Sequence, residues 1–246
     1  MSVKKHIPNI ITLLNLTSGL IALDYAYNAN LGMAFFWVCM GIFFDFWDGF
    51  AARALKVQSP LGLQLDSLAD MVTSGVVPGV AMFKMIENIT MDDNAGLTWD
   101  SGYIVLLPFL GFIITLGAAY RLAKFNVDTR QTDSFIGLPT PANALFIMSL
   151  PIIAYNDTYP FLSPVFSNPF ILIGISLLSA FVMNAEIPLF SLKIKYLNWE
   201  TNKLQFSFLI LSILLLFALQ YIAIPLIIVL YVLLSVVNNK LWTKKA

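Results

Sequence analysis

Asp45-Phe46-Trp47-Asp48-Gly49-Phe50-Ala51-Ala52-Arg53, resumed at Gly62-Leu63-Gln64-Leu65-Asp66-Ser67-Leu68-Ala69-Asp70, sets two pairs of carboxylates into a chain that otherwise avoids charge. A short break holding Lys56, Ser59 and Pro60 separates the pairs. Asp45, Asp48 and Ala52 recur at three and four residues, so they share one helix face. Gly62, Asp66, Asp70 and Ser74 recur at four and share one face of the next helix. A turn at about residues 55–61 makes the two helices antiparallel neighbours. Their acidic faces can then meet near one end of the pair.

The surroundings make that arrangement costly. Of the 246 residues, 59% are hydrophobic and 11% charged, with a mean hydropathy of +0.80. A soluble domain usually carries about 25% charged residues. Several segments also run to about 20 apolar residues, the length that crosses a bilayer core. Both facts predict an all-α polytopic membrane protein in one domain over 1–246, with no soluble module. Net charge is zero, which provides no basic face for nucleic acid. A single cysteine, Cys39, excludes an intrachain disulfide and offers no metal-thiolate motif. The start, Met1 to Asn9, is charged like the beginning of a signal peptide. No small-residue cleavage site follows, so it is read as part of the mature chain.

Eight spans are expected, at about 10–27, 31–54, 62–86, 102–124, 140–156, 169–190, 204–220 and 222–240. With the N-terminus in the cytoplasm, every basic residue except Lys84 falls in a cytoplasmic segment or helix end. Glu87, Asp92, Asp93, Asp100 and Asp157 fall outside. Positive residues favour the cytoplasmic side, so both termini and the acidic cluster are placed there. The outer loops 88–101 and 156–168 read as plain connectors. The inner loop 126–139 carries Asp128, Arg130, Gln131 and Asp133 on the same side as the cluster. Pro78 is expected to kink the third span.

A charged residue near the centre of a membrane helix costs roughly 2.5–3.5 kcal/mol. Four converging carboxylates repel one another unless they are protonated or bridged by cations. Hard divalent cations, Mg²⁺, Mn²⁺ or Ca²⁺, suit all-oxygen donors. Two such ions roughly 3.5–4 Å apart form a phosphoryl-transfer site. Gly49 and Gly62 leave backbone open to a phosphate, and Arg53 and Arg121 are cations able to grip its oxygens. Intramembrane carboxylates also mark ion or proton pathways, and a cation transporter using the cluster is the reading from a different class.

The full spacing, Asp-x2-Asp-Gly-x2-Ala-Arg-x8-Gly-x3-Asp-x3-Asp, is met without a gap from Asp45 to Asp70. It resembles the signature of the CDP-alcohol phosphotransferases. Within that family the flanks resemble the CDP-diacylglycerol–serine O-phosphatidyltransferases. Ile7-Pro8-Asn9-Ile10-Ile11-Thr12, Gln64 to Asp70, Arg121-Leu122-Ala123-Lys124-Phe125-Asn126 and Phe135 to Ala142 carry this likeness. Lys124 stands where Arg is common, and Thr73-Ser74-Gly75 where Ser-Phe-Gly is common. The resemblance implies a six-helix catalytic core, here about 7–190, with two further helices at about 204–240. It also implies a homodimer in the bacterial cytoplasmic membrane, acting on CDP-diacylglycerol and L-serine.

On the same footing, Asp45, Asp48 and Asp66 are expected as ligands of two divalent cations. Asp70 is expected as a ligand of the second ion and as the general base. Gly49, Ala52, Arg53, Gly62 and Ser67 are expected at the CDP-diacylglycerol, with Asn9 and Thr12 adding polar contacts. Asn9 equally suits an ordinary helix start. Arg121 and Lys124 are expected to bind the pyrophosphate or the serine carboxylate, and Arg130 to belong to a lid or serine contact. The cluster reads only the CDP group. Glycerol 3-phosphate, inositol phosphate or choline is the alternative acceptor, and the flanks favour serine.

Overall fold

The computed structural model describes residues 3–90, 104–128, 136–156, 158–190, 199 and 202–243. Arg130, Gln131 and Asp133 lie outside the described residues, as do the charges of the outer loop at 92–100. Helices dominate the rest: α1 (Ile7–Tyr27), α2 (Leu31–Ala54), α3 (Pro60–Asp70), α4 (Val77–Thr90), α5 (Ile113–Val127), α6 (Thr140–Ala154), the one-turn α7 (Ser163–Phe166), α8 (Pro169–Asn184), α9 (Lys203–Leu219) and α10 (Ala223–Thr243). A π-helical turn, Met71–Val76, joins α3 to α4, and a 3-10 stretch, Ile104–Phe112, leads into α5. Among the described residues five helical runs are long and apolar enough to cross a membrane, and α6 and α8 are shorter apolar helices. The chain is an all-α polytopic membrane protein.

Burial separates centre from periphery. The most apolar 18-residue stretch within 60–90 is 61% buried, whereas that within 203–238 is 6% buried. The inner core is built from small and flexible side chains: Ala22, Ala34 and Val38 from α1 and α2, Ala81, Met82 and Ile86 from α4, Ala118 from α5, and Ile147 and Met148 from α6. Small residues let membrane helices approach closely, which replaces the weak hydrophobic drive available in lipid.

Local chemistry ends the helices where the site needs ends. Lys56 adopts φ +55° after α2. Ser59 caps α3, its hydroxyl accepting from the Gly62 amide at 3.1 Å, and Pro60 fills the first turn, where no N–H is needed. Pro78 cannot donate to a carbonyl one turn back. The turn before it is widened into the π form, and the Thr115 hydroxyl donates to the Gly75 carbonyl at 2.9 Å. The expected kink at Pro78 is thus a π turn that begins directly after Asp70. The sixth span stops at Asn184 rather than near 190. Pro188 has no amide for the helix and disfavours helical backbone just before it. Residues 185–190 instead cross to the inner loop, where Ile136 and Pro188 form a β-bridge. The outer loop 156–168 contains α7 and so is more than a plain connector.

The π turn is locked to the first two helices. Thr73 is fully buried, and its hydroxyl donates to Asn15 Oδ1 at 2.8 Å. A Cβ on Gly19 would lie 2.3 Å from Thr73 Oγ1, and one on Gly41 would lie 2.5 Å from Thr73 Cγ2 and 2.9 Å from Asn15 Oδ1. Gly41→Ala is therefore expected to destabilise by roughly 1–3 kcal/mol through overpacking, although alanine is the better helix former. Gly174→Ala, where a Cβ meets nothing within 4 Å, is the matched control. Thermal unfolding in detergent should show a lower midpoint for the first and none for the second.

Candidate active site

The facing ends of α2 and α3 bring the acidic residues together as their spacing predicts. One carboxylate oxygen each from Asp45, Asp48 and Asp66 lies within 4.8 Å of the others. Asp48 is 5% exposed, and Asp45 and Asp66 are half-buried. Asp48 Oδ2 and Asp66 Oδ1 are buried with no hydrogen-bond partner. Burying a carboxylate without compensation is strongly unfavourable. Three converging carboxylates, two of which carry a buried oxygen without a partner, form a donor set that fits a hard divalent cation.

Asp70 sits one helical turn beyond Asp66 and is held by a partner from α1. The fully buried Asn15 donates from Nδ2 to Asp70 Oδ1 at 3.2 Å, while its Oδ1 accepts from Thr73. One amide therefore ties the last residue of α3 to the π turn that follows. Asn15 is absent from the residues expected at the site. The signal for it is nevertheless present: Asn9, Thr12 and Asn15 recur at three along an apolar helix and share a face.

Two clefts meet at the cluster. The first, of about 550 Å³, is lined by Asn9, Thr12, Gly49, Ala52, Arg53 and Gly62 together with Asp48 and Asp66. All six of these expected pocket residues are on its wall. A Cβ on Gly62 would come 3.3 Å from Asn9 Oδ1, and one on Gly49 would come 3.4 Å from Arg53 Nη1. The missing side chains let α1 approach α3 and let the Arg53 guanidinium fold back along α2. The second cleft, of about 350 Å³, shares Asp48, Gly49, Arg53 and Asp66 and adds Asp45, Ser67, Asp70, Arg121 and Thr140. Ser67 and Asn126 exchange hydrogen bonds at 2.9 and 3.2 Å, joining α3 to the end of α5.

Arg121 is 5% exposed and anchored rather than swinging. Its Nε donates to the Leu138 carbonyl and its Nη2 to the Gly137 carbonyl at 3.1 Å. Gly137 takes φ +76°, and a Cβ there would lie 2.3 Å from the Met183 carbonyl oxygen, so only glycine fits this turn. Lys124 lines neither cleft. Its ammonium pairs with Glu186 at 3.3 Å, on the exposed side of the same wall. The structure thus brings the expected residues into one site, with Lys124 set apart and Arg130 outside the described residues.

Comparison with known proteins agrees with this geometry. The family model described as CDP-alcohol phosphatidyltransferase matches residues 5–182, which contain all four aspartates and both cleft walls. Over 149 residues the chain is 32% identical to the CDP-diacylglycerol–serine O-phosphatidyltransferase of Bacillus subtilis, covering 59% of this chain and 75% of that protein. Over 178 residues it is 29% identical to the enzyme of the same name from Helicobacter pylori, covering 70% and 69%. An archaetidylserine synthase of Methanothermobacter thermautotrophicus is 27% identical over 175 residues, covering 70% and 66%. The family is generally divalent-cation dependent, in keeping with the acidic cluster. A carboxylate set at the junction of two clefts, spaced as this family spaces it, and a match over most of the chain establish it as a member of the CDP-alcohol phosphatidyltransferase family.

Proposed function

We propose that this enzyme transfers the phosphatidyl group from CDP-diacylglycerol to the hydroxyl of L-serine and releases CMP. The observation that carries the reading is the meeting of two clefts at one carboxylate cluster, which allows a nucleotide and an acceptor to approach a single phosphorus. The names of the relatives supply the acceptor. The two bacterial enzymes and the archaeal one differ in the lipid their names state and share serine.

In this reading the first cleft takes the CDP moiety, with Asn9 and Thr12 offering polar contacts and Gly49, Ala52 and Gly62 leaving room for it. Arg53 offers charge-assisted hydrogen bonds to the phosphates. Asp45, Asp48 and Asp66, with Asp70 on the far side, would hold two divalent cations, Mg²⁺ or Mn²⁺. When bound, these supply charge neutralisation of the pyrophosphate and of the departing CMP.

Asp70 takes the serine hydroxyl proton, for which it must come within about 2.6–3.2 Å of that oxygen. Asn15 holds Asp70 Oδ1 and leaves the second oxygen for the proton. The serine oxygen forms a bond to the lipid-side phosphorus as the bond from that phosphorus to the CMP oxygen breaks. Arg121, with Nε and Nη2 bound to carbonyls, presents Nη1 to the serine carboxylate or to a lipid phosphate oxygen. Most of the rate comes from positioning and charge neutralisation rather than from a strong base. The one-sided basic residues favour the cytoplasmic face of a bacterial inner membrane for both cleft mouths and both termini. The enzyme is taken to work as a homodimer, as the family resemblance implies. Established family membership leaves the cation-transporter reading without an observation in its favour.

Purified protein in mixed micelles with CDP-diacylglycerol and Mn²⁺ or Mg²⁺ should release CMP on addition of L-serine. Glycerol 3-phosphate, inositol phosphate and choline should leave the rate at background. Release driven by one of those alcohols and not by serine would replace the acceptor. Asp70→Asn should lower kcat by about 10²–10⁴-fold, the range of a lost general base. Cation binding at Asp45, Asp48 and Asp66 should persist in that variant. Full activity in Asp70→Asn would remove Asp70 from the proton-transfer step.

A further inference from the structure

We infer that α10, which lies beyond the family-matched region, positions Arg121 through a clamp on residues 185–190 made by Tyr231 and Ser235. The inference rests on the proposed role of Arg121 in holding an anionic substrate group. The contacts form an unbroken series. The Tyr231 hydroxyl donates to the Phe190 carbonyl at 2.9 Å, and the Phe190 amide donates to Ser235 Oγ at 3.3 Å. Ser235 donates in turn to the Tyr231 carbonyl at 2.7 Å, which fixes its hydroxyl as an acceptor for Phe190. The Phe190 ring is edge-on to Tyr231 at 4.9 Å and to Phe208 of α9 at 5.7 Å. These three rings and Leu189 form a buried cluster separate from the main core.

The clamped segment then holds the inner loop. The Gly137 amide donates to the Ile187 carbonyl at 2.9 Å, the Leu138 amide donates to the Val182 carbonyl at 3.1 Å, and Pro188 bridges Ile136. Gly137 and Leu138 are the residues whose carbonyls receive the Arg121 guanidinium. That short loop is therefore held on both sides: the Gly137 amide by the clamped segment, the Leu138 amide by the end of α8, and both carbonyls by Arg121. α10 also packs on α6 and, through Ile228 and Val232, on the main core, and its hydrogen bonds to Phe190 are the attachment that leads to the Arg121 wall. Tyr231 and Ser235 act as positioning residues and touch no reacting atom.

The test uses the full chain in lipid nanodiscs, comparing the parent with Tyr231→Phe/Ser235→Ala, which keeps the aromatic packing. Hydrogen exchange should quicken about tenfold in the peptide containing Gly137 and Leu138, as expected for losing two hydrogen bonds. The KM for serine or for CDP-diacylglycerol should rise about tenfold while kcat stays within about twofold, the signature of lost uniform binding. Whichever KM moves shows whether Arg121 reads the carboxylate or the phosphate. Leu214→Ala, on the exposed face of α9, should change neither readout. Unchanged exchange at Gly137 and Leu138 would overturn the clamp. Faster exchange with both KM values unmoved would overturn its action on Arg121, as would an equal effect from Leu214→Ala. Failure of the serine reading itself would show separately, as no serine-dependent CMP release by the parent chain.

Discussion

Buried like charge is the constraint on which this structure turns. Asp45, Asp48 and Asp66 bring carboxylate oxygens within 4.8 Å of one another, and Asp48 and Asp66 each carry a buried oxygen with no protein partner. No ammonium or guanidinium forms an ion pair with them among the described residues. Packing alone does not hold such a set together, because mutual repulsion and desolvation act in the same direction. A hard cation held by these carboxylates would reverse the sign of the interaction, and phosphate oxygens are donors that suit it. The acidic cluster is in keeping with a family that is generally divalent-cation dependent.

The helices around the cluster are arranged to make that repulsion tolerable and directional. Close packing at Gly19 and Gly41 brings α1 and α2 against the π turn. Asn15 then bridges the turn to Asp70. Because the helix changes pitch directly after Asp70, the residues before and after it face different neighbours. Asp66 and Asp70 look into the clefts while Thr73 locks inward. A π turn at a functional site is a recurrent device for this purpose. Thr73 supplies both the hydroxyl to Asn15 and the methyl packed beneath Gly41.

Much of this was legible before any coordinates. Spacing alone placed the four aspartates on two facing helices, and Gly49, Ala52 and Gly62 line the first cleft. Helix length and apolarity located the membrane helices among the described residues to within a few residues, except where α8 ends early before Pro188. What escaped was non-local. Nothing in the local pattern around Asn15 says that its amide will meet a residue 55 positions away. Nothing near Lys124 says that Glu186 will claim its ammonium, since the ion pair depends on where residues 185–190 turn back across the inner loop. The anchoring of Phe190 by Tyr231 and Ser235 joins segments more than 40 residues apart and has no sequence period.

The central claim is that the cluster is a divalent-cation centre built by Asp45, Asp48 and Asp66. Manganese titration followed by electron paramagnetic resonance, on the purified protein in nanodiscs without nucleotide, addresses it most directly. The account predicts saturable Mn²⁺ binding that is displaced by Mg²⁺ and weakened by an order of magnitude or more in Asp48→Asn and in Asp66→Asn. Saturable binding untouched by both substitutions, or no saturable binding to the parent chain, would contradict it.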